Sequence, residues 1–186
     1  GLFSEKTRVI LRDLSPDGKI LLYQLVTPGN RSLWFRRIDG TAGPPRQILE
    51  RGGVQAKFSP DGKWIVYLGP SDRPQIYVQA FPNGGLTTQI TSERGQEPVW
   101  RGDGKELFFV SNERTMMAAP IVDTSTRFEA ELPRELFKTP LASASARRNY
   151  AVTKDGKRFL MIVAQATDNA TQPLTVVVNW PAAVQK

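Results

Sequence analysis

The 186-residue chain contains neither cysteine nor histidine. Without cysteine, disulfides, zinc–thiolate centres and thiol nucleophiles are excluded. Without histidine, the commonest general base and transition-metal ligand is gone, and with it every Ser-His or Cys-His arrangement. Long apolar runs are absent too. None approaches the ~20 residues of a membrane-spanning helix, so no membrane insertion is expected of this segment. The N-terminus lacks a basic-then-apolar leader pattern, and Gly1-Leu2-Phe3 in place of an initiator Met reads as a processed chain or a piece cut from a longer one. No stretch sustains a 3.6-residue amphipathic period over helical length, so almost no helix is expected.

The formal charge is +7, from 25 Lys+Arg against 18 Asp+Glu. That balance permits attraction to phosphates, acidic lipids or acidic proteins without requiring any of them. The basic residues are scattered, with short pairs at Arg36-Arg37 and Arg147-Arg148. They form no stripe of the kind that tracks a nucleic-acid backbone, and nucleic acid is not expected as a partner.

What the chain does have is a repeat. Leu14-Ser15-Pro16-Asp17-Gly18-Lys19, Phe58-Ser59-Pro60-Asp61-Gly62-Lys63, Trp100-Arg101-Gly102-Asp103-Gly104-Lys105 and Val152-Thr153-Lys154-Asp155-Gly156-Lys157 align, with steps of 44, 42 and 52 residues from Gly to Gly. That period belongs to a four-stranded β-propeller blade. Each segment closes one strand on a large apolar residue, turns on Asp-Gly and opens another strand.

The strands that follow are Ile20-Leu21-Leu22-Tyr23, Trp64-Ile65-Val66-Tyr67, Leu107-Phe108-Phe109-Val110 and Phe159-Leu160-Met161-Ile162. They are apolar on both faces, as suits a sheet sandwiched between neighbouring sheets. A third strand is expected at 33–35, 76–78, 116–118 and 174–178. Turn chemistry at Asp39-Gly40, Asn83-Gly84-Gly85 and Asp123-Thr124-Ser125 then leads to outer strands near 47–49, 87–90 and 136–138.

The fold expected is therefore all-β, a propeller of four-stranded antiparallel blades, about four per chain. It divides into an outer strand over 1–6, blades over 7–50, 51–92 and 93–140, and a three-stranded blade over 141–181. The N-terminal strand either closes the last blade or is exchanged with a partner, which makes homo-oligomerisation one reading; a fragment of a longer propeller is another.

The Ser-Pro-Asp-Gly-Lys segments with their flanking apolar strands resemble the TolB-like family of WD-related propeller repeats. Units one and two match fully, while unit three departs at Gly102 and unit four at Thr153-Lys154. The ending, Pro173 to Trp180, together with Phe159-Leu160-Met161-Ile162, resembles the C-terminal region of propellers attached to bacterial receptor-like serine/threonine kinases. That resemblance implies an extracytoplasmic location and a sensory role in a larger protein. The chain itself holds no Gly-rich nucleotide loop, His-Arg-Asp loop or Asp-Phe-Gly, so kinase activity is not assigned to it.

Propellers bind at the mouth of the central channel, where innermost strands begin. Six residues before each repeat Asp stand Leu11, Gln55, Glu97 and Asn149. Gln55, Glu97 and Asn149 bear oxygens, and converging there they form either a hydrogen-bonded, water-filled mouth that binds a ligand or a hard-cation site for Ca²⁺. The resemblance to lactonase-type propellers, which use calcium at that place, attaches a hydrolase of lactones, esters or phosphotriesters to the second reading. Arg147 and Arg148, in the insertion that lengthens the last period, are candidates for a partner contact. The repeat Asp residues, Trp34, Trp64, Trp100, Trp180 and Met116-Met117 all read as turn or core residues rather than sites. With no catalytic constellation, the first reading of function is a non-catalytic module that binds a protein, a peptide or a small molecule.

Overall fold

The computed structural model describes residues 7–41, 43–85, 87–124, 127–140 and 149–163, and the backbone of 175–178. Among these residues there is no helix. The first sheet holds β1 (Arg8–Leu14), β2 (Ile20–Thr27), β3 (Asn30–Arg37) and β4 (Arg46–Leu49), in that order and antiparallel. The second repeats it with β5 (Val54–Phe58), β6 (Trp64–Leu68), β7 (Ile76–Ala80) and β8 (Thr87–Gln89). The third contains β9 (Gly95–Trp100), β10 (Glu106–Ser111), β11 (Thr115–Asp123), β12 (Glu129–Ala130) and β13 (Arg134–Lys138). The fourth contains β14 (Tyr150–Val152), β15 (Arg158–Met161) and β16 (Thr175–Val178).

The four repeat turns are built alike. Each glycine sits at positive φ, between 72° and 75°, which a Cβ would penalise. In the first turn Asp17 accepts from the Ser15 hydroxyl at 2.5 Å and from the Lys19 amide at 3.1 Å, while the Ser15 hydroxyl accepts from Ile20 N at 2.9 Å. Ser59 and Asp61 reproduce this geometry with Lys63 and Trp64. Thr153 takes the serine's place in the fourth turn, donating to Asp155 and accepting from Arg158 N. In the third, Arg101 replaces the hydroxyl donor and holds Asp103 with two charge-assisted bonds of 2.7 and 2.6 Å.

Unit three departs from Ser-Pro for a packing reason. Gly102 donates its amide to the Lys154 carbonyl of the fourth sheet at 3.0 Å, and a Cβ there would lie 2.8 Å from that same oxygen. Proline at 102 would lose the bond and collide with the neighbour.

Three apolar clusters join the sheets in sequence. Leu22, Leu33 and Phe35 of the first pack on Phe58, Ile65 and Tyr67 of the second. Trp64, Val66, Ile76 and Val78 of the second pack on Trp100, Leu107 and Phe109 of the third. Phe108, Val110 and Met116 of the third pack on Tyr150, Phe159 and Met161 of the fourth. The middle strands β6 and β10 are accordingly buried on both faces. β15 alternates, with Phe159 and Met161 buried and Arg158 and Leu160 exposed. Expecting every repeat strand to avoid water thus holds for the inner sheets and fails for the fourth, whose described residues have a neighbour on one side.

Two further departures concern unit three and the tryptophans. The third outer strand comes in two pieces: β12 pairs with the end of β11 and β13 with its beginning. Pro133 separates them, and it has no amide to continue a ladder. Phe128, just ahead of β12, is set edge-on against Trp64 and Trp100. Those two tryptophans are core, as expected, whereas Trp34 is half-buried, donating to Ser32 at 2.9 Å. Trp180 and the orphan outer strand expected over 1–6 lie outside the described residues, as does Arg147-Arg148.

Two tests follow from the turns. Gly102→Pro, which restores the repeat pattern, is expected to destabilise by about 2 kcal/mol or more in urea unfolding; an unchanged or raised midpoint would contradict the packing account. Hydrogen bonds to the turn carboxylates hold Asp17, Asp103 and Asp155 below the usual carboxylate range, chiefly through Ser15, Arg101 and Thr153 respectively. A depressed folded-state value means stability that is full above the ordinary value near pH ~4 and lost as pH falls through the folded one. Urea midpoints are expected to drop on acidification below about pH 4, and less steeply in Asp17→Asn.

Candidate functional site

The inner strands bring the predicted mouth residues together. β1, β5 and β9 run side by side, and Leu11, Gln55 and Glu97 line one cleft of about 190 Å³ with Arg12, Ala56, Lys57 and Pro98. Asn149 reaches the same place by bonding to Glu97. Gln55 and Glu97 both adopt positive φ, 55° and 56°. This left-handed geometry is uncommon outside glycine, and at both residues it sits within the register shift of an inner strand.

Their side chains do a common job. The Gln55 carbonyl oxygen accepts from the Glu97 backbone amide at 2.6 Å. The Glu97 carboxylate, 5% exposed, accepts from the backbone amide and the side-chain amide of Asn149, each at 2.6 Å. Tyr150 Oη adds a bond to the Glu97 carbonyl at 2.8 Å. In each case the side chain on one sheet accepts from the equivalent backbone amide of the next, a relay that latches second sheet to third and third to fourth. The first sheet uses a different bolt. Asp13 accepts from Phe58 N at 2.9 Å and pairs with Lys57 Nζ at 2.8 Å.

These bonds bear on the Ca²⁺ reading. Calcium takes six to eight oxygens, several from carboxylates. Here one carboxylate is present, both of its oxygens accept N–H donors, and the Gln55 oxygen is engaged as well. No group of three or more Asp, Glu, His or Cys residues lies close enough to hold an ion among the described residues. The donor set does not fit a calcium ion, and no chemical step is derived through one.

A larger groove opens beside this cleft, between the first and second sheets. It encloses about 930 Å³ and is lined by the β2–β3 turn and the links that follow β4 and β6, including Arg31, Arg51, Gly52, Ser71 and Asp72. Gln24, fully buried, ties its floor together: it donates to the Gly52 carbonyl at 2.8 Å and accepts from the Arg12 guanidinium. Burial lowers the pKa of Arg12, and repulsion from Arg31 and Arg8 lowers it further, because the sheet register sets Arg8 and Arg31 on either side of Val26. Four arginines from three separate stretches of the sequence therefore share one end of the molecule. Reading the basic residues as scattered missed this; placing each on its strand end in the repeat alignment would have found it.

Some basic residues elsewhere are ion-paired, for example Arg101 and Arg134 on Glu106. No helix among the described residues is long and apolar enough to cross a membrane.

No protein-family model matches the chain, and no curated protein sequence does. Solved structures do match in shape. TolB from Acinetobacter baumannii superposes over 95% of this chain and 42% of its own, with 19% identity and a TM-score of 0.65. An oligogalacturonate lyase in complex with manganese covers 96% of this chain and 49% of its own, at 15% identity and a TM-score of 0.59. The β-propeller domain of the trilobed protease from Pyrococcus furiosus covers 92% and 53%, at 13% identity and a TM-score of 0.55. The chain thus spans about half the length of the structures it resembles. Such identities carry the fold and nothing finer, and the likeness to kinase-linked propellers gains no support from them. By fold, the chain is a β-propeller built of four-stranded antiparallel blades, similar in shape to TolB.

Proposed function

We propose that the chain is a non-catalytic binding module whose ligand is an acidic peptide segment seated in the groove between the first two blades. The observation that carries this reading is the gathering of Arg8, Arg12, Arg31 and Arg51 at one end, around a groove whose lining includes a single acidic residue, Asp72. Guanidinium groups suit carboxylates because their planar donors match the two oxygens. The groove's volume is of the size that holds several peptide residues rather than an ion. The interaction part of a larger protein would use such a face to recruit a partner.

The competing reading, a hydrolase of lactones, esters or phosphotriesters at Gln55, Glu97 and Asn149, has less behind it. The described cleft offers no nucleophile beside a base, and its carboxylate is tied into the inter-blade relay.

Fluorescence anisotropy with a labelled glutamate-rich decapeptide tests the proposal. Binding is expected to weaken steeply with salt and by roughly tenfold or more in the Arg31→Glu/Arg51→Glu double variant. Equal affinity in that variant, or an equally strong hold on a lysine-rich peptide, would sink it. Glu97→Ala is expected to cost about 2 kcal/mol of stability, since the part-buried Asn149 amides lose their buried acceptor, while leaving peptide affinity intact. Chelator-sensitive ester or lactone turnover that vanishes in Glu97→Gln would replace the binding reading with the hydrolytic one.

A further inference from the structure

The contact between the second and third blades is filled at one end and open at the other. Toward the repeat turns, Phe128 closes it edge-on against Trp64 and Trp100. Beyond Pro133 the outer strand resumes as β13, paired with the first residues of β11. There a groove of about 600 Å³ remains between residues 89–94, at the end of β8 and in the link after it, and Leu132, Pro133 and Glu135 of the third blade. It reaches Ser111, Asn112 and Glu113 at the β10–β11 turn. Both walls belong to blades that are covered on each side by a neighbour within the chain, so the opening is a property of this interface.

The floor of the groove is apolar. Ile90 and Phe109 belong to the buried cluster and Met117 packs against it, while Leu132 on the wall is 91% exposed. The rim carries charges of both signs. Glu113 pairs with Lys138 at 3.3 Å. The side chains of Glu93, Arg94 and Glu135 have no hydrogen bond or ion pair among the described residues, and Arg94 Nε is buried without an acceptor. Buried polar atoms are normally partnered, and a guanidinium held against the protein without a carboxylate is a costly arrangement.

We propose that this groove binds a short apolar peptide with both termini free. The peptide's side chains cover Met117, Leu132 and the floor beneath them. Its carboxylate accepts from the Arg94 guanidinium, whose planar donors match two carboxylate oxygens, and its terminal ammonium donates to the carboxylates of Glu93 and Glu135. A lone ion would leave the apolar floor uncovered, and a ligand of one charge sign would answer either the arginine or the glutamates but not both. The volume is that of a site for a ligand of several residues. No lining residue is shared with the arginine groove between the first two blades, so the two sites are independent.

Isothermal titration of the full chain with the tripeptide Leu-Leu-Phe tests this. N-acetylation and C-terminal amidation are each expected to weaken binding roughly tenfold or more. Arg94→Gln is expected to erase the preference for a free carboxylate while keeping that for a free amine, and Glu93→Gln/Glu135→Gln to do the reverse. A merely destabilised fold could not produce that exchange of preferences. Arg31→Glu/Arg51→Glu, in the other groove, is expected to leave tripeptide affinity unchanged, which separates a failure here from a failure of the acidic-peptide reading. The inference is overturned if no binding is detected at millimolar tripeptide, if the doubly blocked peptide binds equally well, or if the preference for free termini survives in both rim variants.

Discussion

Face-to-face packing of one small sheet on the next is the contact on which this structure depends. A blade of two- to nine-residue strands has two apolar faces and no interior of its own, so it is ordered only by being covered. Leu22 and Phe35 need Ile65 and Tyr67; Trp64 and Val66 need Leu107 and Phe109. Apolar area has little directionality, and it would let sheets slide past each other. Register comes instead from the polar relay at the inner strands, Gln55 to Glu97 to Asn149, and from the Asp13–Lys57 pair. Those bonds join points 42 to 52 residues apart in sequence, close to one blade period each.

This division of labour shapes what chemistry is left. Polar side chains at the channel wall are committed to their neighbours, and positive φ at Gln55 and Glu97 aims them along the wall. The groups free to meet a ligand sit at the strand ends, where turns and links converge on the groove between the first two blades. Arg12 is the joint between the two systems. It is held by Gln24, and so by Gly52, yet it feels the charges of Arg8 and Arg31 outside. The arginines at this rim are what the proposed binding of an acidic peptide rests on.

Much of the fold was readable from residues 14–19 and their three equivalents, because a turn is a local object: Asp, Gly and a nearby hydroxyl meet their partners within five residues. The two-sided burial of β6 and β10 followed from unbroken apolar runs. Counting back from each Asp also aligned Gln55, Glu97 and Asn149, which hydrogen bonds join in the structure, because a repeat carries equivalent residues to equivalent positions. Their role was not readable, since an oxygen-bearing side chain at a channel looks the same whether it awaits an ion or accepts an amide from the next blade. The broken third outer strand escaped as well. Pro133 stands at the break without an amide to continue the ladder, and Phe128 ahead of it packs on Trp64 of the second unit and Trp100 of its own.

Sequence alone determined the repeat, the turns, the all-β class and the absence of thiol and imidazole chemistry, all properties of residue type and short spacing. Tertiary structure decided which carboxylate is spent as an acceptor, why position 102 must be glycine, and which arginines share a groove. The reason is that a propeller converts sequence distance into angular position. Side chains a full blade apart become neighbours only once the sheets have been stacked and their twist has set the angle between them.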